Sequence, residues 1–147
     1  MLKQRLQDDM KAALKGGDKP RLAVVRLILA AIKQREVDER LELTDEQILA
    51  VLDKMVKQRR ESISHFERAG RADLVEQEAF EIQVCQSYLP EALSPEELAG
   101  LIEQAVSTVG AQAIQDMGKV MGWLKPKIQG RADMGAVSAR VRQRLGA

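Results

Sequence analysis

The residue types best suited to chemistry lie near the carboxyl end. The run Met117-Gly118-Lys119-Val120-Met121-Gly122-Trp123-Leu124-Lys125-Pro126-Lys127 is followed by the turn Gly130-Arg131-Ala132-Asp133. Gly118 and Gly122 are four apart and stack on one face of a helix, where each costs about 1 kcal/mol relative to alanine. Two things could offset that cost. One is close helix–helix packing; the other is close approach of the backbone to a bulky ligand such as a nucleic-acid backbone. Lys119 between the glycines, Lys125 and Lys127 around Pro126, and Arg131 in the turn supply cations that attract phosphate, and a helix amino terminus adds N–H donors. On spacing alone both explanations stay open.

Other reactive types are scarce. The one histidine, His65, stands near Gly70 at the end of a long helical pattern, where a solvated or cap-interacting imidazole is the expectation. Cys85, the one cysteine, lies among Ile82, Val84 and Leu89 and reads as a buried, inert thiol. A single cysteine excludes an internal disulfide framework and a Cys-rich zinc site. Glu76, Glu78 and Glu81 have the spacing of a charged helix face rather than a carboxylate pair. No GxxxxGK[ST] phosphate loop occurs, Gly16-Gly17 being only a turn. No catalytic residue, metal site or cofactor is expected.

The elements that must position these residues are helical. Leu2, Leu6, Met10 and Leu14 recur every four residues, and Gly16-Gly17-Asp18 stops that helix and caps the next. Leu22, Val25, Leu29 and Ile32 mark a second stripe, widened by Val24, Leu27 and Ile28. Thr44-Asp45-Glu46-Gln47 reads as a capping box before a long helix carrying Ile48, Leu52, Met55, Val56, Ile63 and Phe66 on one side. A fourth helix runs from about Ala72 to Ser87 and ends before Pro90. Ser94-Pro95-Glu96-Glu97 is the strongest start signal in the chain, an N-cap serine with proline at N1 and glutamate at N3. Three short helices follow: one through Leu98 to Val109, one from Ile114 to Leu124, and a last one through Val137 to Leu145 capped by Asp133. The expected fold is all-α: a four-helix bundle-like domain over residues 1–90, then a small three-helix domain over 91–147. The second core is small and marginal by itself.

Composition agrees with this and limits the function classes. The 147 residues are 45% hydrophobic but only 3% aromatic, so the core is aliphatic. No run of about 18 apolar residues exists, so no membrane span and no membrane partner are expected. Met1 to Leu6 mixes charges with leucines and does not read as a secretory leader. Cytoplasmic localisation is the resulting expectation. The net charge of +1 argues against a uniformly basic nucleic-acid binder. Segment counting qualifies that. Residues 1–90 carry 16 basic and 16 acidic side chains, residues 91–113 four acids and no base, and residues 114–147 seven bases against two acids. The tail is thus a candidate phosphate surface. A second basic run, Lys19 to Arg35, has five bases and no acid. A solvated face paired with acids of neighbouring helices is the expectation there.

The run Met117 to Asp133, with the helix Val137 to Leu145 after it, resembles the GatB/YqeY family. In its glycines, lysines and GRAD turn it is similar to the tail domain of the GatB subunit of tRNA-dependent amidotransferase. Arg26-Leu27-Ile28-Leu29-Ala30-Ala31-Ile32-Lys33 and Tyr88-Leu89-Pro90 fit YqeY-type chains, which pair a helical bundle with such a tail. The likeness to YqeY covers essentially the full length, that to GatB only about residues 90–147. The GatB tail contacts the outer corner of tRNA and performs no chemistry. By position, the resemblance makes Gly118, Lys119, Gly122, Lys125, Lys127, Gly130 and Arg131 the RNA-facing candidates. It does not extend to GatB's catalytic cradle, with its metal and ATP sites, or to a glutaminase-type Ser–Ser–Lys arrangement.

Three readings follow. The first is a non-catalytic module binding tRNA or another structured RNA through its tail. Scarce aromatics disfavour base stacking and suit contact through backbone and shape, with Trp123 a core anchor rather than a stacking platform. The second, implied by resemblance only, is an accessory of a carbon–nitrogen ligase that converts Glu-tRNA(Gln), with amidotransferase subunits or an aminoacyl-tRNA synthetase as partners. The third is a protein-interaction bundle.

Overall fold

The structure is a computed structural model and describes residues 1–146. It is all-α, with seven α-helices and one short 3-10 turn among the described residues. These are α1 (Leu2–Gly16), α2 (Lys19–Glu39), α3 (Asp45–Arg68), α4 (Ala72–Gln86), α5 (Pro95–Val109), α6 (Met117–Ile128) and α7 (Met134–Arg144). The chain forms two compact units, Met1–Pro90 and a second beginning at Glu91.

Local chemistry sets the helix ends in the first unit. Gly17 takes a left-handed conformation (φ 72°) that a side chain would resist, and this closes α1. The Asp18 carboxylate accepts the Arg21 N–H at 3.2 Å to cap α2, with Pro20 in its first turn. Thr44 and Gln47 form the reciprocal capping box of α3. Leu6, Val25, Ile28, Ile32, Ile48, Leu52, Val84 and Cys85 are almost fully buried and join the four helices. Polar ties sit around this core. Lys3 Nζ meets Glu36 at 2.9 Å, and Glu36 also accepts the Leu43 N–H at 2.9 Å. Arg59 Nε donates to Glu81 at 2.9 Å between α3 and α4. Burial pushes the Cys85 thiol up to about 11, which keeps it protonated and inert.

Two leucines lie off the expected stripes. Leu14 is 60% exposed and Leu27 44%. Four-residue steps from Leu2 gain about 40° each, so Leu14 has turned about 120° from the start while Ala13 falls back into line. Ala13 is accordingly the buried residue. Leu27 likewise lies about 160° from Val25 and points away from the Val25–Ile28–Ile32 row.

Tyr88, just past α4, is buried; its hydroxyl donates to Asp9, and the Arg5 guanidinium lies 4.7 Å from its ring centroid. Burial, then the hydrogen bond to Asp9 and that carboxylate's charge, push the phenol up to about 12. A folded-state value above the unfolded one means that the clamp contributes fully below pH about 10. It is lost between about 10 and about 12 as the unfolded chain ionises first. Tyr88 is the only tyrosine, so tyrosinate absorbance reads it directly. The expected midpoint lies near 12 or coincides with alkaline unfolding, and ionisation near 10 in folded protein would contradict the clamp.

In the second unit, Ser94 and Glu97 form the capping box of α5, and Gly110 (φ 67°) ends it. Ile114–Asp116 is a 3-10 turn rather than the start of α6. The Asp116 carboxylate draws the chain tight there, accepting the Gln112 and Ala113 N–H groups at 2.9 and 3.3 Å. Helix α6 starts later than expected and runs past Leu124 through Pro126. Val120, Leu124 and Ile128 from α6 bury against Val137 and Val141 from α7 and Ile102 and Ala105 from α5.

Candidate nucleic-acid interface

Core packing decides which side of α6 faces outward. Val120, Leu124 and Ile128 sit at four-residue spacing on the inner side and are fully buried. Gly118, Gly122 and Lys125 recur at i, i+4 and i+7 on the opposite side, with Lys119 and Pro126 beside them, and all five are exposed. A Cβ built on Gly118 or Gly122 meets nothing within 4 Å. Neither glycine is therefore needed for packing within the fold, which removes one of the two explanations for their presence. Pro126 brings no N–H to the carbonyl of Gly122, four residues earlier. The outer face of α6 is thus bare backbone bordered by ammonium groups.

The seven cations of the tail divide into two sets. Arg144 pairs with Glu103 of α5, and Arg140 donates to the Pro95 carbonyl at 3.4 Å. Arg131 Nε donates to the Glu91 carbonyl at 2.9 Å, while its own carbonyl accepts the Leu93 N–H at 2.9 Å. These three hold α7 and the turn before it against the α5 end of the unit. Lys127 lies 3.9 Å from the centroid of the Trp123 ring, one turn back on the flank of α6. Trp123 is half-buried and packs against the core. No ion pair engages Lys119, Lys125 or Arg142 among the described residues. Lys119 contributes to holding the Asp116 carboxyl below its usual range, after the two backbone N–H groups.

Of the candidates named from the sequence, Gly118, Lys119, Gly122 and Lys125 are brought together on one open face. Lys127 stands at its flank over Trp123. Gly130 (φ 77°) makes the turn toward α7, and Arg131 is engaged in the hydrogen bonds of that turn. Arg142, exposed on α7, was not singled out in the sequence. The signal that separates Lys125 from Lys127 is present there: Lys125 shares the register of the two glycines and Lys127 does not.

The second basic run departs from expectation in its pairing. Lys19, Arg26 and Lys33 are exposed, as a solvated face would be, but among the described residues none forms an ion pair with a neighbouring helix. Among the described residues, no group of three or more His, Cys, Asp or Glu side chains is placed to hold a metal ion, and no helix is long and apolar enough to cross a membrane.

Known proteins place the chain. It is 37% identical to altered inheritance of mitochondria protein 41, mitochondrial, of Eremothecium gossypii over 150 residues, covering 97% of this chain and 79% of the relative. The protein of the same name from Pyrenophora tritici-repentis is 32% identical, with 97% and 80% covered. That from Lachancea thermotolerans is 29% identical, with 92% and 76% covered. These names overturn the plain cytoplasmic expectation, since the relatives are named as mitochondrial proteins. The expectation rested on the lack of an apolar span and of a secretory leader pattern, and neither feature separates the cytosol from the interior of an organelle. A family model described as Yqey-like protein matches residues 3–145, and the chain belongs to that family.

Proposed function

We propose that the tail unit docks a structured RNA through the outer face of α6, tRNA being the kind that its likeness to the GatB tail points to. One observation carries this: two exposed helical glycines with open space over them, beside Lys119 and Lys125, which form no ion pair among the described residues. Glycine at both positions weakens the helix without improving its packing, so the gain is sought outside the chain. The absence of two side chains lets a sugar–phosphate backbone come against the helix, with the ammonium groups meeting phosphates at its edge. The Gly122 carbonyl, which receives no N–H from Pro126, suits a 2′-hydroxyl donor, which RNA has and DNA lacks. With one half-buried tryptophan as the tail's only aromatic, the contact is to backbone and shape, not to stacked bases.

The test is a gel shift with tRNA over a salt series. Each phosphate contact contributes close to one unit to the slope of log affinity against log salt. Lys119→Ala with Lys125→Ala is expected to lower that slope by about two and to weaken binding at every RNA sequence tried. A flat salt response, or a double variant indistinguishable from the parent, would sink the reading.

A further inference from the structure

The first unit carries a knob and a hole that do not meet within one chain. The hole is a groove of about 330 Å³ between the end of α1 and the start of α2. Leu22 forms its floor, Gly17 and Ala23 leave it open by their small size, and the exposed Leu14 stands at its rim. Ala13 and two cations complete the lining, Lys19 and Arg26, two turns apart on α2 and about 10 Å along the helix. Neither cation has an ion-pair partner among the described residues, and from Lys19 to Arg35 there is no carboxylate.

The knob is on α4. Phe80 is the only aromatic side chain of that helix and is 36% exposed. Glu76, one turn before it on the same face, is exposed as well and forms no ion pair among the described residues. From Ala72 to Gln86 the helix carries Asp73, Glu76, Glu78 and Glu81 and no basic residue. No residue of α4 lines the groove, so a chain's own Phe80 does not fill it.

We infer that the groove takes Phe80 of a second copy of this chain, with Glu76 of that copy meeting Lys19 or Arg26. The two surfaces match in kind: an apolar hole rimmed by cations and lacking acids, and an aromatic knob beside an acid on a helix lacking bases. Both sit on the same unit, so each copy offers one of each. The inferred contact joins two different patches and is heterologous, running from copy to copy; a closed two-fold dimer would instead need both knobs to seat at once across one axis. A small apolar contact with one or two ion pairs makes a weak assembly, populated at high concentration and reduced by salt.

Light scattering on nuclease-treated full-length protein from roughly 10 μM to 1 mM tests this, a range that covers weak association. The mass is expected to climb with concentration and to pass that of a dimer. Phe80→Ser removes the knob and Arg26→Glu spoils the hole, so each variant alone is expected to stay monomeric. Mixed, they leave one intact knob and one intact hole, and the mixture is expected to form dimers and nothing larger. Glu76→Lys, at an exposed position, replaces Phe80→Ser if circular dichroism shows that the latter unfolds. A monomeric parent protein over the whole range overturns the inference, and would leave the cationic groove to RNA or to a different protein. A mixture that stays monomeric while the parent associates overturns it too, because one intact knob and one intact hole then do not suffice to join two chains.

Discussion

Leu124→Ala is expected to cost the tail unit about 2–5 kcal/mol, the usual range for emptying a fully packed leucine site. Leu124 is 0% exposed at the centre of α6, with Val120 and Ile128 one turn to either side and Val137 and Val141 of α7 buried in the same core. No large aromatic is wholly inside this core, so aliphatic side chains carry it and little neighbouring volume can collapse into the hole. A unit this small has a total stability of only several kcal/mol. The loss is therefore a large share of what holds it, and its melting temperature should fall by about 10 °C or more. Trp123 is the only tryptophan and Tyr88 the only tyrosine, one in each unit, so each unit has its own optical reporter. The Trp123 transition should move down steeply while the Tyr88 signal moves far less. An unshifted Trp123 transition would mean that the centre of the tail core lies elsewhere.

The parts of this fold that could be read from the sequence are those fixed within four or five residues of chain. The capping boxes at Thr44 and Ser94 and the cap at Asp133 are each closed by a hydrogen bond spanning three residues, and the αL glycine after α1 depends on its own φ. Such features do not wait for tertiary structure. What eluded the sequence is non-local or angular. The Arg131 bond to Glu91 spans 40 residues and the Tyr88 bond to Asp9 spans 79. No spacing rule announces that an arginine in a turn serves a carbonyl so far away. The exposure of Leu14 is angular, because a four-residue repeat imitates a buried stripe for two turns and then drifts off it. The same angular reasoning, applied to α6, picks Lys125 over Lys127. The candidate site was thus legible as a composition of glycine and lysine, and became a face only when the core fixed which side of α6 points out.

That face yields a pair of results with opposite signs. Gly118→Ala with Gly122→Ala is expected to stabilise the tail by about 1 kcal/mol per site, since both positions are helical, neither has a positive φ, and nothing lies within 4 Å of the added carbon. If the glycines serve only the fold, the more stable protein should bind RNA at least as well as the parent. If they keep the helix backbone open to a sugar–phosphate chain, affinity should fall while the melting temperature rises. Gly118→Glu with Gly122→Glu separates the two further. Glutamate is also a better helix former than glycine, and at position 118 it sits in the first turn of α6, where a negative charge suits the helix dipole. Stability should again hold or improve. The two carboxylates, however, fill the open strip and set negative charge between Lys119 and Lys125, against the phosphates. Two lost phosphate contacts and the added repulsion should lower tRNA affinity by about a hundredfold at moderate salt. A stable double-glutamate protein with undiminished RNA affinity would remove α6 from the interface, because no structural damage would be available to explain the result away.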